Sequence, residues 1–180
     1  METKECIMGR RSIRKFKDTP VSKETIEELV SLAAYGPTWK NCQANRFIAI
    51  TDKETKSKIA QLGTLGYDGN TRIIEGAPLI MVMTIVQKRS GYERDGSFST
   101  SKGTHWESFD AGIVTQTMCL AAHAMGLGSV IMGIIDEDKI SGIITIPEGE
   151  TVSAVVAIGY PDEEPDAPKR KELDKILRFL

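Results

Sequence analysis

The sequence predicts a helix-rich domain of the α+β or α/β class that spans residues 1–180 as a single unit. Apolar stripes at helical spacing are interleaved with short runs that are apolar throughout, and helical stretches dominate. No internal repeat and no linker-like composition divides the chain. A chain of this length can bury a core of its own without disulfides or a structural metal.

The first helix and the first strand are predicted in the N-terminal quarter. Ser22 is a preferred N-cap residue, and it precedes a run with helical spacing. The apolar positions of this run form a stripe on one side of the helix: Ile26, Leu29, Val30, Leu32 and Ala33. Gly36 and Pro37 end the helix. After a polar loop, residues 46–51 (RFIAIT) are typical of a strand.

The middle of the chain alternates between helix, strand and loop. Asp52 caps a second predicted helix over residues 53–65, and a helical turn is predicted over 73–75. Residues 79–86 (LIMVMTIV) are apolar throughout, which is typical of a strand covered on both faces. The polar, glycine-containing stretch 87–103 is predicted to be a mobile surface loop.

The second half is predicted to supply the central helix and the last strands. The helix over 107–125 is apolar nearly all round, so we expect it to be buried. Strands are predicted over 129–133 and 152–158, with a short helix that starts at Asp136 between them. The stretch 111–135 lacks charged residues. Its internal polar residues and its Gly-Leu-Gly break nevertheless favour a buried helix and strand over a membrane span.

The composition excludes several classes of protein. Charged residues make up 27% and hydrophobic residues 41%, which is typical of a soluble globular protein. A net charge of −2 and a pI near 5.8 argue against nucleic acid as the main partner. The cysteines (Cys6, Cys42 and Cys119) contain no C-x-x-C pair, and His105 and His123 show no ligand spacing, so neither a disulfide framework nor a metal site is predicted. No apolar run opens the chain, so a cytoplasmic location is the default expectation.

The most informative segment for function is residues 10–17, RRSIRKFK, in which five of eight residues are cationic. A basic cluster in an acidic chain indicates an anion-binding site. Arginine offers paired donors that match phosphate oxygens, and the hydroxyl of Ser12 can donate to the same group. The residues alone leave a solvated basic turn or a nucleic-acid-binding arm open as alternatives.

The C-terminal stretch from residue 159 onward has a different character from the rest. It begins with a turn, continues as an acidic and proline-rich run, and then carries the basic residues 169–171. Its apolar positions (Leu173, Ile176 and Leu177) cannot be buried within so short a segment. We therefore expect the stretch to wrap a partner subunit.

Six segments, taken in order, resemble the flavin-dependent nitroreductase family: residues 10–16, 36–43, 109–113, 120–129, 157–161 and 169–173. The resemblance implies an α+β fold with a central mixed sheet flanked by helices and a C-terminal extension that wraps the partner of an obligate homodimer. It also implies one FMN in each cleft at the dimer interface, with NADH or NADPH as electron donor. The implied activity is a ping-pong transfer of hydride to nitroaromatics, quinones or similar small-molecule acceptors.

The resemblance also assigns roles to the basic segment and to the strand near the ring. It implies that Arg10, Arg11 and Ser12 bind the phosphate and ribityl chain of FMN, and that Arg14 lies near the pyrimidine edge. A positive charge at that edge would favour hydride acceptance. The backbone of Met132 and Gly133 matches the segment that donates an N–H group to flavin N5. No side-chain acid or base is required.

Three further groups of residues are implied by the same resemblance. Four residues match the loop that reaches the flavin from the neighbouring subunit or bonds its ring edge: Pro37, Thr38, Asn41 and Gln43. Asn70 and Arg72 lie where the family often has an asparagine and a basic residue near the ring. Lys169 and Arg170 match the basic pair of the tail that closes over the phosphate.

Several of these residues keep a structural alternative. Arg11 and Lys15 can be solvated, because successive side chains of an extended segment point in opposite directions. Residues 126–128 (GLG) are more typical of a helix end than of a phosphate loop. Cys42 has no local base and is not predicted to be a nucleophile, and His123 is expected to be an interior or interface residue.

Two other functions stay open beside the reductase. One is a flavin-binding redox sensor or carrier without fast turnover, which very slow reduction of bound FMN by both NADH and NADPH would favour. The other keeps the fold and changes the chemistry, as in reductive dehalogenation or oxidative ring formation. Relatives with those activities usually carry extra lid segments, and this chain is short.

Overall fold

The computed structural model describes residues 1–180 and contains six α-helices and four β-strands. In chain order they are α1 (Thr3–Gly9), α2 (Lys23–Ala33), β1 (Asn45–Ile50), α3 (Lys53–Leu62), α4 (Asp68–Gly76), β2 (Leu79–Val86), α5 (His105–Ala124), β3 (Gly128–Met132), α6 (Glu137–Ile143) and β4 (Glu150–Gly159). Short 3-10 turns occur at Trp39–Asn41 and Leu173–Lys175. None of the helices combines the length and apolar character that crossing a bilayer requires.

Three helices begin where their N-cap residues predict. The side chains of Ser22, Asp52 and Asp136 each accept a hydrogen bond from the backbone N–H three residues later. This bond satisfies a donor that the first helical turn leaves free. The predicted starts of α2, α3 and α6 are confirmed.

The four strands form one sheet in the order β1-β2-β4-β3, and every neighbouring pair is antiparallel. A register shift between Met83 and Thr84 interrupts the pairing of β2 with β4. The resemblance implies a mixed sheet. In this chain the parallel pairing is limited to one isolated bridge, between Ser12 and Ser129, where the basic segment meets the edge of the sheet.

The core lies in two apolar layers, one on each face of the sheet. Alternate residues of β2 face opposite layers, with Ile80 and Val82 on one side and Met81 and Met83 on the other. The first layer packs against α3, α4 and α6, and the second packs against α2 and α5. The prediction that residues 79–86 form a strand buried on both faces is confirmed.

Two helices differ from what the sequence predicts. Helix α1 is not predicted, because it is short and Cys6 is its single buried residue. Helix α4 is nine residues long rather than a turn over 73–75. Its N-cap, Tyr67, makes no capping bond, and the helix is held instead by burial of Ile73 and Ile74.

The stretch 87–103 contains no helix or strand, as predicted, and carries one isolated bridge between Tyr92 and Phe98. The tail after β4 is extended apart from its 3-10 turn, partly buried up to residue 165 and exposed from residue 166 onward. Leu173, Ile176 and Leu177 are exposed on it. That the tail wraps a partner subunit stays a prediction.

Candidate functional site

The basic segment 10–17 is held against the edge strand β3 and the end of β4. The N–H of Ile13 donates to the carbonyl of Ser129 at 3.0 Å, and the N–H of Lys17 donates to the carbonyl of Tyr160 at 2.9 Å. Ile13 is buried, and a Cβ on Gly128 would lie 2.7 Å from the Cβ of Ile13. A glycine is therefore needed at 128 for the segment to approach this closely.

A large cleft of about 790 Å³ lies between this segment, α4 and β3. Four of the predicted flavin-site residues line it: Arg14, Asn70, Arg72 and Met132. Phe16, Ile73 and Val130 give it an apolar wall, and Lys15 adds a third cation. The cleft thus combines an apolar surface with cationic side chains, although its residues come from four distant parts of the chain.

The cations of the large cleft have no carboxylate partner. The four ion pairs of the chain lie elsewhere, and none involves Arg14, Lys15 or Arg72. Asp162 and Glu163 also line the cleft, but Asp162 forms no ion pair, and the carboxylate of Glu163 accepts hydrogen bonds from the backbone N–H groups of Arg14 and Lys15. The guanidinium of Arg14 donates to the backbone carbonyl two residues earlier at 3.2 Å. The charges of the cations thus have no ion-pair partner and can interact with an anionic or electron-rich ligand.

Asn70 is fixed in the wall of the large cleft. It is 6% exposed, and its Nδ2 donates to the carbonyl of Ile134 at 2.9 Å. This bond orients an amide that can both donate and accept. Arg72, two residues later on the same helix, is exposed and forms no ion pair.

A smaller cleft of about 340 Å³ adjoins the other side of the basic segment, and Glu163 lies in the walls of both clefts. Arg10, Arg11 and Ser129 line the smaller cleft. The guanidinium of Arg11 donates to the carbonyls of Met8, at 2.6 Å, and Arg10, at 3.0 Å. Arg11 is thus engaged with its own backbone, which leaves Arg10 as the freer cation of the pair.

His123 also lines the smaller cleft. Burial lowers the pKa of His123, and the nearby positive charges of Arg10 and Arg11 lower it further. The neutral imidazole is therefore favoured in a cleft that contains these two cations together with the carboxylates of Glu163 and Glu164.

The loop 37–43 lies apart from both clefts and adopts a strained conformation. Lys40, Asn41 and Gln43 have φ angles of 44°, 54° and 47°, a region that residues other than glycine seldom adopt. The N–H of Gln43 donates to the hydroxyl oxygen of Thr38 at 3.1 Å, which ties the ends of the loop together. Strain that the surroundings maintain is common at ligand-binding loops.

The remaining predicted residues are dispersed. Gly133 lines a different cavity from Met132. Lys169 and Arg170 are exposed on the tail and line neither cleft, and the guanidinium of Arg170 donates only to the carbonyl of Pro168. Within one chain, most of the predicted residues therefore fall into a cleft group (10, 11, 14, 70, 72 and 132), a loop group (37–43) and a tail pair, whereas Ser12 lines neither cleft.

The structure adds one residue that the sequence does not single out. Asp110 lies in α5 and is 2% exposed. Its Oδ2 accepts hydrogen bonds from the N–H of Trp39, at 2.8 Å, and from the hydroxyl of Ser90, at 2.5 Å. The thiol of Cys42 lies 3.9 Å from the same oxygen. The sequence signal for this residue is an acid within a helix that is apolar nearly all round, because a carboxylate buried there needs hydrogen-bond donors.

Comparison with known proteins identifies similar chains over nearly the full length. The sequence profile described as "Nitroreductase family" matches residues 7–64 and 64–160. The "Putative NADH dehydrogenase/NAD(P)H nitroreductase" of Methanothermobacter thermautotrophicus is 31% identical over 180 residues, which cover 98% of this chain and 86% of that protein. The NADPH-flavin oxidoreductase of Vibrio harveyi is 28% identical over 93% of this chain and 69% of its own length.

The fold has solved counterparts. The structure of the NADPH:FMN oxidoreductase from Vibrio harveyi complexed with NAD+ superposes with a TM-score of 0.83 at 26% identity, covering 98% of this chain and 76% of that one. A nitroreductase family protein from Streptococcus pneumoniae gives a TM-score of 0.86 at 18% identity over 99% of this chain and 100% of its own. The latter likeness concerns the fold alone.

Proposed function

Because the chain belongs to the nitroreductase family and is an oxidoreductase of that type, we propose that it binds FMN and transfers hydride from NADH or NADPH to small acceptors such as nitroaromatics or quinones. The observation that carries the proposal is the large cleft, in which an apolar wall and three cations without carboxylate partners face the same space. Relatives named as NADPH-flavin oxidoreductase and as NADPH:FMN oxidoreductase support the choice of cofactor and donor.

The residues of the two clefts fit FMN. The volume of about 790 Å³ lies within the range of roughly 300–1,000 Å³ that small-molecule sites occupy. The apolar wall suits a flat ring system, and Asn70 offers both a donor and an acceptor to its polar edge. Arg10 lines the smaller cleft, where it suits a phosphate group, whereas Ser12 lines neither cleft.

FMN held in these clefts would supply the chemistry of hydride transfer between the nicotinamide and the acceptor. Arg14 and Arg72 would supply positive charge that stabilises negative charge at the ring edge. Met132 lies in the wall of the cleft. A Cβ added to Gly133, the next residue, would meet no atom within 4 Å, so the main chain there is open to approach. The chain's contribution is orientation and electrostatics, without a titrating acid or base.

We further propose that the site is completed in a homodimer of single-domain chains. Pro37, Thr38, Asn41 and Gln43 line neither flavin cleft of their own chain, which supports a role for them at the cofactor of the partner. The exposed apolar residues of the tail give it a surface to bury against a second copy. Lys169 and Arg170 would then be brought to a phosphate as the tail docks.

Reconstitution with FMN tests the proposal. We expect the purified protein to retain FMN after desalting, with its visible absorbance, and to oxidise NADH or NADPH when a quinone is supplied. Stopped-flow reduction of the bound FMN separates a reductase from a sensor or carrier, because only a reductase is reduced rapidly by at least one nicotinamide. A protein that stays colourless after FMN addition and shows no flavin-coupled oxidation contradicts the proposal.

A further inference from the structure

One buried carboxylate, that of Asp110, joins the loop 37–43 to the stretch 87–103. Asp110 accepts the N–H of Trp39 from the loop 37–43 and the hydroxyl of Ser90 from the stretch 87–103, both on Oδ2. Ser90 is fully buried, and its hydroxyl also lies within hydrogen-bond distance of the carbonyl of Trp106. A buried carboxylate with donors from two segments holds those segments at a fixed separation.

Further contacts join the same two segments at the surface. The Nζ of Lys40 lies 3.1 Å from the carboxylate of Glu93. The rings of Trp39 and Trp106 have centroids 4.6 Å apart, and the Nε1 of Trp106 donates to the hydroxyl oxygen of Thr100 at 2.8 Å. The exposed ion pair is individually weak. Together with the buried carboxylate, these contacts leave neither segment free to move alone.

The loop 37–43 needs such support because of its backbone. Three non-glycine residues with positive φ (Lys40, Asn41 and Gln43, with Cys42 between the last two) would relax if the surroundings did not hold them. Asp110 bonds the loop directly at Trp39, immediately before this strained run. The same oxygen bonds the other segment at Ser90, so a change in one is transmitted to the other.

We propose that Asp110 is a positioning residue that clamps the loop 37–43 and the stretch 87–103 into one unit, so that a cofactor held by the loop also orders the stretch. This inference rests on the proposed function for its ligands, but the clamp itself belongs to the protein without cofactor. We call the unit the Asp110 clamp.

Hydrogen exchange on the FMN-free protein tests the clamp independently of the cofactor. In Asp110→Asn we expect amide exchange to become on the order of tenfold faster or more in both segments, since bonds to a charged acceptor are lost. Glu107→Ala is the matched control, because the carboxylate of Glu107 on the same helix accepts only the N–H of Lys88. It should loosen 87–103 alone. If Asp110→Asn changes only that stretch, or neither, the clamp is overturned.

A second variant covers the case in which Asp110→Asn does not fold. Ser90→Ala keeps the carboxylate of Asp110 and removes one of its donors. We expect faster amide exchange in the loop 37–43, although Ser90 does not belong to that loop. Unchanged exchange there overturns the clamp. The two tryptophans of the chain are Trp39 and Trp106, so their fluorescence gives a direct second signal from the unit.

The ligand coupling is tested with FMN. In the wild type, FMN should slow exchange in 87–103, and Asp110→Asn should lose that protection while raising the FMN dissociation constant. Glu107→Ala should leave the FMN dissociation constant unchanged. If FMN binds and leaves amide exchange in 87–103 unchanged, the coupling is wrong while the proposed function stands. If FMN does not bind, the proposed function fails, and the experiment on the FMN-free protein still decides whether the clamp exists.

Discussion

The large cleft and the Asp110 clamp differ in how their charged groups are neutralised. In the clamp, the carboxylate of Asp110 has donors from the chain itself, and Lys40 is paired with Glu93. In the cleft, Arg14 and Arg72 have no carboxylate partner. A carboxylate that is bonded by donors of its own chain fixes a conformation, whereas cations without an ion-pair partner can be neutralised by a ligand. The first region is therefore suited to holding a position, and the second to the binding that we propose.

The largest effect on stability is expected when the Asp110 clamp is overpacked. Gly91 has a φ of 83°, and a Cβ there would lie 2.7 Å from the Cβ of Trp106. Gly91→Ala combines left-handed backbone strain with a steric clash, so we expect the free energy of unfolding to fall by about 2–5 kcal/mol. Urea denaturation of the purified variant measures this loss.

Gly96→Ala is the matched control for Gly91→Ala. Gly96 lies in the same stretch with a φ of 85°, but no atom lies within 4 Å of the added Cβ. It isolates the backbone strain, so the expected loss is about 1–2 kcal/mol. Equal losses in the two variants would show that the packing of Gly91 on Trp106 contributes nothing.

An intermediate effect is expected in the binding region. Arg10→Ala removes a cation of the smaller cleft and should weaken FMN binding by about 1–3 kcal/mol, the range for hydrogen bonds to charged groups. Fluorescence titration of FMN measures the dissociation constant. Lys17→Ala removes an exposed cation that lines neither cleft, so it should leave that constant unchanged. Similar losses in both variants would mean that overall charge, not placement, binds the cofactor.

The smallest expected effect is a change in the titration of His123. Burial, and then Arg10 and Arg11, lower the pKa of His123 in the folded protein, so its neutral form is favoured there. The corresponding stability is present above the unfolded-state pKa of about 6.5 and is lost as the pH falls through the lowered folded-state pKa. A phosphate bound at Arg10 offsets the cations and should raise the pKa of His123.

Proton NMR of the imidazole resonances measures that change with and without FMN. The other histidine, His105, is exposed at the start of α5 and lines neither cleft, so it serves as the internal reference. A pKa of His123 that does not move on FMN binding would place the phosphate away from the smaller cleft.

The features that could be predicted from the sequence are those whose cause is local. Ser22, Asp52 and Asp136 each cap a helix within three residues of themselves, and the apolar run 79–86 is a strand because its own side chains cover both faces. Helix α4 could not be predicted, because its stability comes from burial of Ile74 rather than from a capping bond.

The cations of the candidate site could be predicted from the sequence, but their arrangement in space could not. Arg14 and Arg72 meet in one cleft although 58 positions separate them in the sequence (72 − 14). The partners of Asp110 lie 71 and 20 positions away, at Trp39 and Ser90, and no local spacing indicates them. Lys169 and Arg170 have no contact with the clefts in a single chain, so their assigned role stays a prediction about the dimer.

The basic segment has a further consequence for how the protein is made. Residues 10–17 are synthesised well before the residues that hold them, which are Ser129, Tyr160 and Glu163, the last of them 149 positions beyond Arg14. Synthesis proceeds from the N-terminus. The wall that we propose to bind an anion is therefore incomplete until translation has passed residue 163, so a cofactor that needs this wall is captured only after that point.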